Sequence, residues 1–100
     1  MNNLAKANIR KDKRLRQKYG LTLYQYQKLY RMQNGRCGIC FREFDKLKPN
    51  VDHDHRDKNV RGILCFFCNK YRVGRAHTED AYLFRRIADY LENNIDARKL

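Results

Sequence analysis

VDHDHRDKNVRGILCFFCN, residues 51–69, sets two carboxylates and two histidines in alternation and follows them with a cysteine pair. In an extended chain alternate side chains share a face, so Asp52 and Asp54 are expected on one side and Val51, His53 and His55 on the other. Arg56-Asp57-Lys58-Asn59 reads as a polar turn and Val60–Leu64 as a returning strand. Gly62 marks a bulge or a close backbone approach within it. The stretch is therefore a β-hairpin running into a Cys-x2-Cys knuckle and then into Asn69.

Toward the N-terminus the same knuckle recurs at Cys37 and Cys40, with 24 residues between Cys40 and Cys65. A two-residue gap lets both sulfurs of a knuckle reach one ion, and two knuckles complete a tetrahedral Zn²⁺ site. Two disulfides or a redox pair are the competing assignment, disfavoured in a reducing compartment. Structural zinc of this kind contributes on the order of 10 kcal/mol to folding. This chain needs such a staple: it has 100 residues, a formal charge of +12 and a mean hydropathy of −0.94, which leave little apolar core. Since the cysteines fill the zinc shell, Asp52, His53 and His55 are left for other work.

The charge, 23 Lys and Arg against 11 Asp and Glu, points to a polyanionic partner. No apolar run is long enough to span a bilayer, and MNNLAKANIRKDK has no apolar segment of the signal-peptide kind. The cell interior is the expected compartment.

Residues 1–18 form a basic arm, helical by the absence of Gly and Pro; residues 19–100 form the domain proper. Arg10, Lys11, Lys13, Arg14, Arg16 and Lys18 are candidate phosphate contacts, unless the arm is only a solvated, partly frayed helix. Thr22 is a good N-cap for a helix over Leu23–Gln33, whose Leu23, Tyr26, Leu29, Tyr30 and Met32 read as core. Phe41–Phe44 is expected as a short strand, residues 45–50 as a loop, and residues 69–73 as a short helix ended by Gly74. Thr78 caps a last helix, with Glu79 and Asp80 in its first turn. Its apolar face is Ala81, Phe84, Ile87, Ala88, Leu91 and Ile95, packed on the domain or on a second subunit. His77 reads as a surface or loop histidine.

Zinc ties the knuckles together and so presses the hairpin against the helix that starts near Asn69. The Asp52 carboxylate and the Asn69 amide oxygen are hard donors suited to Mg²⁺. A histidine beside such an ion can take a proton from an attacking water. These are the parts for hydrolysing a phosphodiester. A zinc-stabilised module that binds nucleic acid without cutting it is the alternative, and it would have no use for Asp52, His53 and Asn69 together. A zinc-stapled protein adaptor would leave the charge unexplained.

The combination C-G-I-C, V-D-H-D-H and V-R-G-I-L-C-F-F-C-N resembles the recombination endonuclease VII family, phage enzymes of the His-Me finger (HNH) type. YGLTLYQYQKLYRMQNGRCGIC resembles that family's lead-in helix and HTEDAYLFRRIADYLE its closing helix. The resemblance implies an α+β fold: a small zinc-stapled ββα-metal core with flanking N- and C-terminal helices. It implies a Mg²⁺- or Mn²⁺-dependent DNA endonuclease, phage or prophage encoded, that leaves 5′-phosphate and 3′-hydroxyl ends. Cys37, Cys40, Cys65 and Cys68 match the zinc ligands, His53 the general base, and Asp52 and Asn69 the ligands of the catalytic ion. His55 matches the second histidine, which either orients the scissile phosphate or braces the hairpin. Asp54 is either a hydrogen-bond partner behind the site or solvated. Arg61, Lys70 and Arg72 are candidate phosphate clamps or ordinary surface charges. Better-known junction-resolving members continue into a C-terminal extension that builds a dimer. The resemblance stops before that, and a homodimer through the C-terminal helix is the corresponding expectation here.

Overall fold

The basic N-terminal segment is an ordered helix, α1 (Asn3–Tyr19). The Asn2 side chain starts it by accepting the Ala5 N–H, and Gly20 ends it at φ 67°, a conformation that glycine adopts without strain. The structure, a computed structural model, describes residues 2–45, 47–73, 81–93 and 95–100, with the side chain of Arg72 left aside. The expected Gly74 stop, His77, the Thr78 cap and Glu79-Asp80 lie outside the described residues.

α1 buries Leu15. Its one acid, Asp12, accepts from the Arg16 guanidinium (2.6 Å) and from the Leu23 N–H (2.8 Å). Leu23 opens α2 (Leu23–Met32), so Asp12 of one helix satisfies a free donor at the start of the next. Thr22 and Gln25 complete that start as a reciprocal capping box. Tyr26 and Leu29 are buried and Leu23 and Tyr30 pack against the core, as their spacing predicts, but Met32 is exposed.

The segment after the first knuckle is not the expected strand. Phe41 takes φ 63°, which interrupts extension, and among the described residues the segment makes one isolated bridge, between Arg36 and Glu43. The hairpin does form, as an antiparallel pair of β1 (Pro49–His53) and β2 (Val60–Cys65). β1 starts two residues earlier than expected and stops at His53, because Asp54 to Asn59 close the turn with Lys58 N–H to Asp54 O (2.8 Å) and Asp54 N–H to Asn59 O (2.9 Å). A bulge falls between Asp52 and His53.

The outer edge of β2 is covered by a side chain. The Gln33 amide donates to the Ile63 carbonyl (2.7 Å) and accepts the Ile63 N–H (2.8 Å), as a neighbouring strand would. After β2 the second knuckle leads into a wide, π-type turn over Cys68–Val73, then α3 (Ala81–Glu92) and a 3₁₀ turn (Ala97–Lys99).

The face that α3 buries differs from expectation. Of the expected set, Ile87 is buried and Ile95, beyond the helix end, packs against the core, but Ala81, Phe84, Ala88 and Leu91 face outward, and Leu83 and Tyr90 take the inner positions instead. Polar side chains decide this register: the Arg86 guanidinium donates to the Ile39 carbonyl and Tyr90 reaches Asp52. Among the described residues, helices surround one two-stranded sheet. No helix of the described residues is long and apolar enough to cross a membrane.

Candidate metal centre and catalytic cleft

The two knuckles meet. The sulfurs of Cys37, Cys40, Cys65 and Cys68 all lie within 4.8 Å of one another, from a loop behind α2 and from the end of β2. No disulfide joins them. The Cys68 N–H donates back to the Cys65 sulfur (3.4 Å), closing its knuckle. The Cys37 thiol is pulled down to about 4, chiefly by its hydrogen bond with the Cys68 thiol, whereas burial pushes Cys65 up. Thiols so crowded cannot all ionise on their own, and a thiophilic cation resolves the conflict by taking four thiolates. The donor set fits Zn²⁺. Arg42, which the sequence did not single out, donates to the sulfurs of Cys40 (3.4 Å) and Cys65 (3.8 Å) and offsets part of that negative charge.

Asp52 and His53 are adjacent but face different neighbours. Asp52, 4 % exposed, accepts a two-pronged contact from Arg61 (Nε 2.9 Å, Nη2 3.1 Å) and the hydroxyl of Tyr90 (2.9 Å). Burial and the neighbouring carboxylate push the Tyr90 hydroxyl far above its ordinary pKa, so it remains a donor. Gly62 is opposite Asp52 in the register, and a Cβ there would come within 2.7 Å of the Tyr90 oxygen. The glycine expected to mark a close approach does so, and the partner is Tyr90. The sequence reading missed Tyr90, because a tyrosine in an amphipathic helix carries no signal of a partner in a distant strand.

His53 faces the α1 side. Its ring lies 5.5 Å from that of Tyr19 and 4.7 Å from that of His55, so the two histidines share a side as the alternation predicts. Its cleft, about 340 Å³, is lined also by Lys18, Gly20, Lys58 and Arg98. Burial, then the charge of His55, hold His53 below the ordinary imidazole pKa, against an upward pull from Asp52. A neutral imidazole at neutral pH is able to accept a proton.

Asp54 does not stand behind the site. It braces the turn through Arg56, which holds its carboxyl well below the usual carboxylate range. Asn69 sits half-buried at the start of the π-type turn, and no hydrogen bond among the described residues joins it to Asp52 or His53. Arg61, expected as a phosphate clamp, is committed to Asp52. Lys70 lies over the rings of Phe66 and Tyr71 (5.4 Å each).

The sequence profile of recombination endonuclease VII matches residues 12–93. A "Gene 59 protein" of Mycobacterium phage L5 is 41 % identical over 90 residues, which is 89 % of this chain and 54 % of that protein. Its counterpart in Mycobacterium phage D29 is 41 % identical over 88 residues, covering 87 % of this chain and 53 % of the relative. The chain thus spans about half the length of these curated relatives. No solved structure matches it. With the profile covering the lead-in helix, both knuckles, the hairpin and α3, the chain belongs to the recombination endonuclease VII family.

Proposed function

We propose that this protein is a metal-dependent DNA endonuclease of the His-Me finger type that hydrolyses phosphodiester bonds with His53 as general base. The observation that carries this is His53 itself: a proton-accepting imidazole beside His55, in a cleft whose cationic walls are Lys18, Lys58 and Arg98, the last of them paired with Asp96 (2.8 Å). Such a wall attracts a phosphodiester and leaves the imidazole free to act on water.

His53 takes a proton from water as the water attacks phosphorus in line. A new P–O bond forms, the bond to the 3′ oxygen breaks and that oxygen takes a proton from solvent water, leaving 5′-phosphate and 3′-hydroxyl ends. His55, its ring 4.7 Å from that of His53, would orient the scissile phosphate or brace the hairpin. A hard divalent ion, Mg²⁺ or Mn²⁺, would be held by Asp52 and Asn69. Their carboxylate and amide oxygens suit such an ion, provided Arg61 yields its hold on Asp52. Bound there, it would supply charge stabilisation for the phosphoryl oxygens and the leaving oxygen. Arg61, once released, would pair with phosphate; Lys70 and, by its place in the sequence alone, Arg72 are the further phosphate clamps of this reading.

DNA is the partner implied by the family. Phage relatives support a setting inside a bacterial cell. Cutting both strands of a branched substrate calls for two active sites, and the outward residues Phe84 and Leu91 of α3 offer a surface for a homodimer.

The test is cleavage of supercoiled plasmid and of a four-way junction by zinc-loaded protein, with and without Mg²⁺. Wild type should nick in Mg²⁺, and His53→Ala should lose roughly 10²–10⁴-fold in rate while retaining zinc and DNA binding. No cutting of either substrate by the folded wild type would leave a non-catalytic zinc-stabilised nucleic-acid-binding module.

A further inference from the structure

The cations of α1 are not equivalent. Arg16 is paired with Asp12. Lys11, Arg14 and Lys18 line a groove of about 530 Å³ between α1 and the start of β1, with Lys48, Pro49, Asn50 and Val51 as its other wall. Lys6, Arg10 and Lys13 are exposed and line none of it. Positions 11, 14 and 18 recur at three- and four-residue spacing, so they form one row, spread over roughly 10 Å at 1.5 Å per residue.

This groove shares Lys18 and Tyr19 with the His53 cleft, so the two run together. Neither is lined by an acid. The contrast is the hollow on the far side of the turn, where Asp54 and Asp57 balance Arg56 and Arg61. Lys11 sits with its ammonium 4.1 Å from the Tyr26 ring, and burial together with the charge of Arg14 lowers its pKa. Cations gathered in a groove without counter-charge repel one another and oppose folding. A polyanion laid in the groove reverses the sign of that term.

We propose that the α1–β1 groove is a track for the phosphate backbone of one DNA strand, held by Lys11, Arg14, Lys18 and Lys48 and leading into the His53 cleft. Such contacts position the strand and read no bases, so the track is sequence-independent. The position of the scissile phosphate at the end of the track rests on the nuclease reading; binding in the track does not.

The experiment measures affinity of the zinc-loaded full chain for a labelled single strand and for the matching duplex, without Mg²⁺, across a salt series. Two variants remove equal charge: K11Q/R14Q/K18Q from the groove and K6Q/R10Q/K13Q from outside it. Both are checked for zinc content and helicity. The groove variant should bind both probes at least tenfold more weakly than the outer variant. Its salt slope should fall by about 0.7 per lost phosphate contact on the single strand and about 0.9 on the duplex. Equal losses in the two variants would overturn the track in favour of a diffuse positive field. A loss confined to duplex would overturn the assignment to one strand. Selective loss in the groove variant, in a protein whose wild type cuts no DNA, would keep the track and remove the nuclease reading. Cutting that persists with equal binding losses would do the reverse.

Discussion

The cysteine cluster and the Asp52 contact each draw distant parts of the chain onto one point, but they are satisfied differently. The cluster brings four sulfurs within 4.8 Å, where their charges conflict until a cation is shared. Around Asp52, Arg61 and Tyr90 already take both carboxylate oxygens. The first is a site that an ion completes; the second is one where an ion must compete with a guanidinium. The first fits a structural ion; under the nuclease proposal an ion at the second is conditional, since a ligand held by Arg61 is released only at a cost in pairing.

Breaking the cluster should have the largest effect. Chelating the metal, or Cys65→Ser, should abolish cooperative melting in circular dichroism, in line with a contribution on the order of 10 kcal/mol. Melting unchanged by chelation would show that the four sulfurs are not the staple.

Tyr90→Ala comes next. It removes a ring packed over Gly38 and Gly62 and takes a donor from a buried carboxylate, for an expected loss of about 3–5 kcal/mol in denaturant unfolding. Tyr90→Phe, which loses only the hydroxyl, should cost about 1–3 kcal/mol. Equal costs would mean that the hydroxyl alone matters there, and a Tyr90→Phe cost near zero that packing alone does.

Gly62→Ala should cost about 1–3 kcal/mol, because the new methyl meets the Tyr90 oxygen at 2.7 Å and ring carbon at 2.9 Å. In the Tyr90→Phe background the cost should shrink, since the nearest atom is gone. A double-mutant cycle reads the difference, and additive losses would contradict the contact.

The smallest effect separates the two faces of β1. His53 has a depressed pKa, so the folded state binds its proton more weakly than the unfolded state does. The stability it permits is present above about pH 6.5 and falls as pH drops through that value toward the folded pKa. Proton NMR should place the His53 midpoint below 6.5. His55→Ala should move it upward by removing a neighbouring positive charge. Activity, under the nuclease proposal, should fall on the same acid limb.

Much of this was legible locally. The Cys-x2-Cys pairs, the Thr22 cap, the Tyr26–Leu29 stripe and the hairpin around a polar turn each rest on residues a few positions apart. The failures are of one kind. Phe41–Phe44 alternates like a strand, but Phe41 turns to φ 63° and the segment meets only the short stretch 35–37, through Cys37 N–H to Arg42 O (2.9 Å) and Phe44 N–H to Gly35 O (3.0 Å). The α3 face expected from apolar spacing is rotated, because Arg86 and Tyr90 find partners in Ile39 and Asp52. Gln33 covers β2 from 30 residues away and Asp12 caps a helix 11 residues on, contacts that leave no periodic trace. The last residues carried no signal, yet Ala97 is fully buried and Gln25 donates to the carbonyl of Arg98.

By itself, the sequence determined the donor chemistry: four thiols at knuckle spacing, an Asp-His pair on alternating sides of a strand, and an excess of positive charge. Residue type and short spacing suffice for these, since ligand hardness, pleat and net charge belong to the local chain. Only the tertiary structure decided that Asp52 is held by Arg61 and Tyr90 and that His53 opens on the α1 side. It alone sorted the cations of α1 into a row along a groove and a set outside it. Those outcomes depend on which distant side chain satisfies a buried polar group, a choice made by packing.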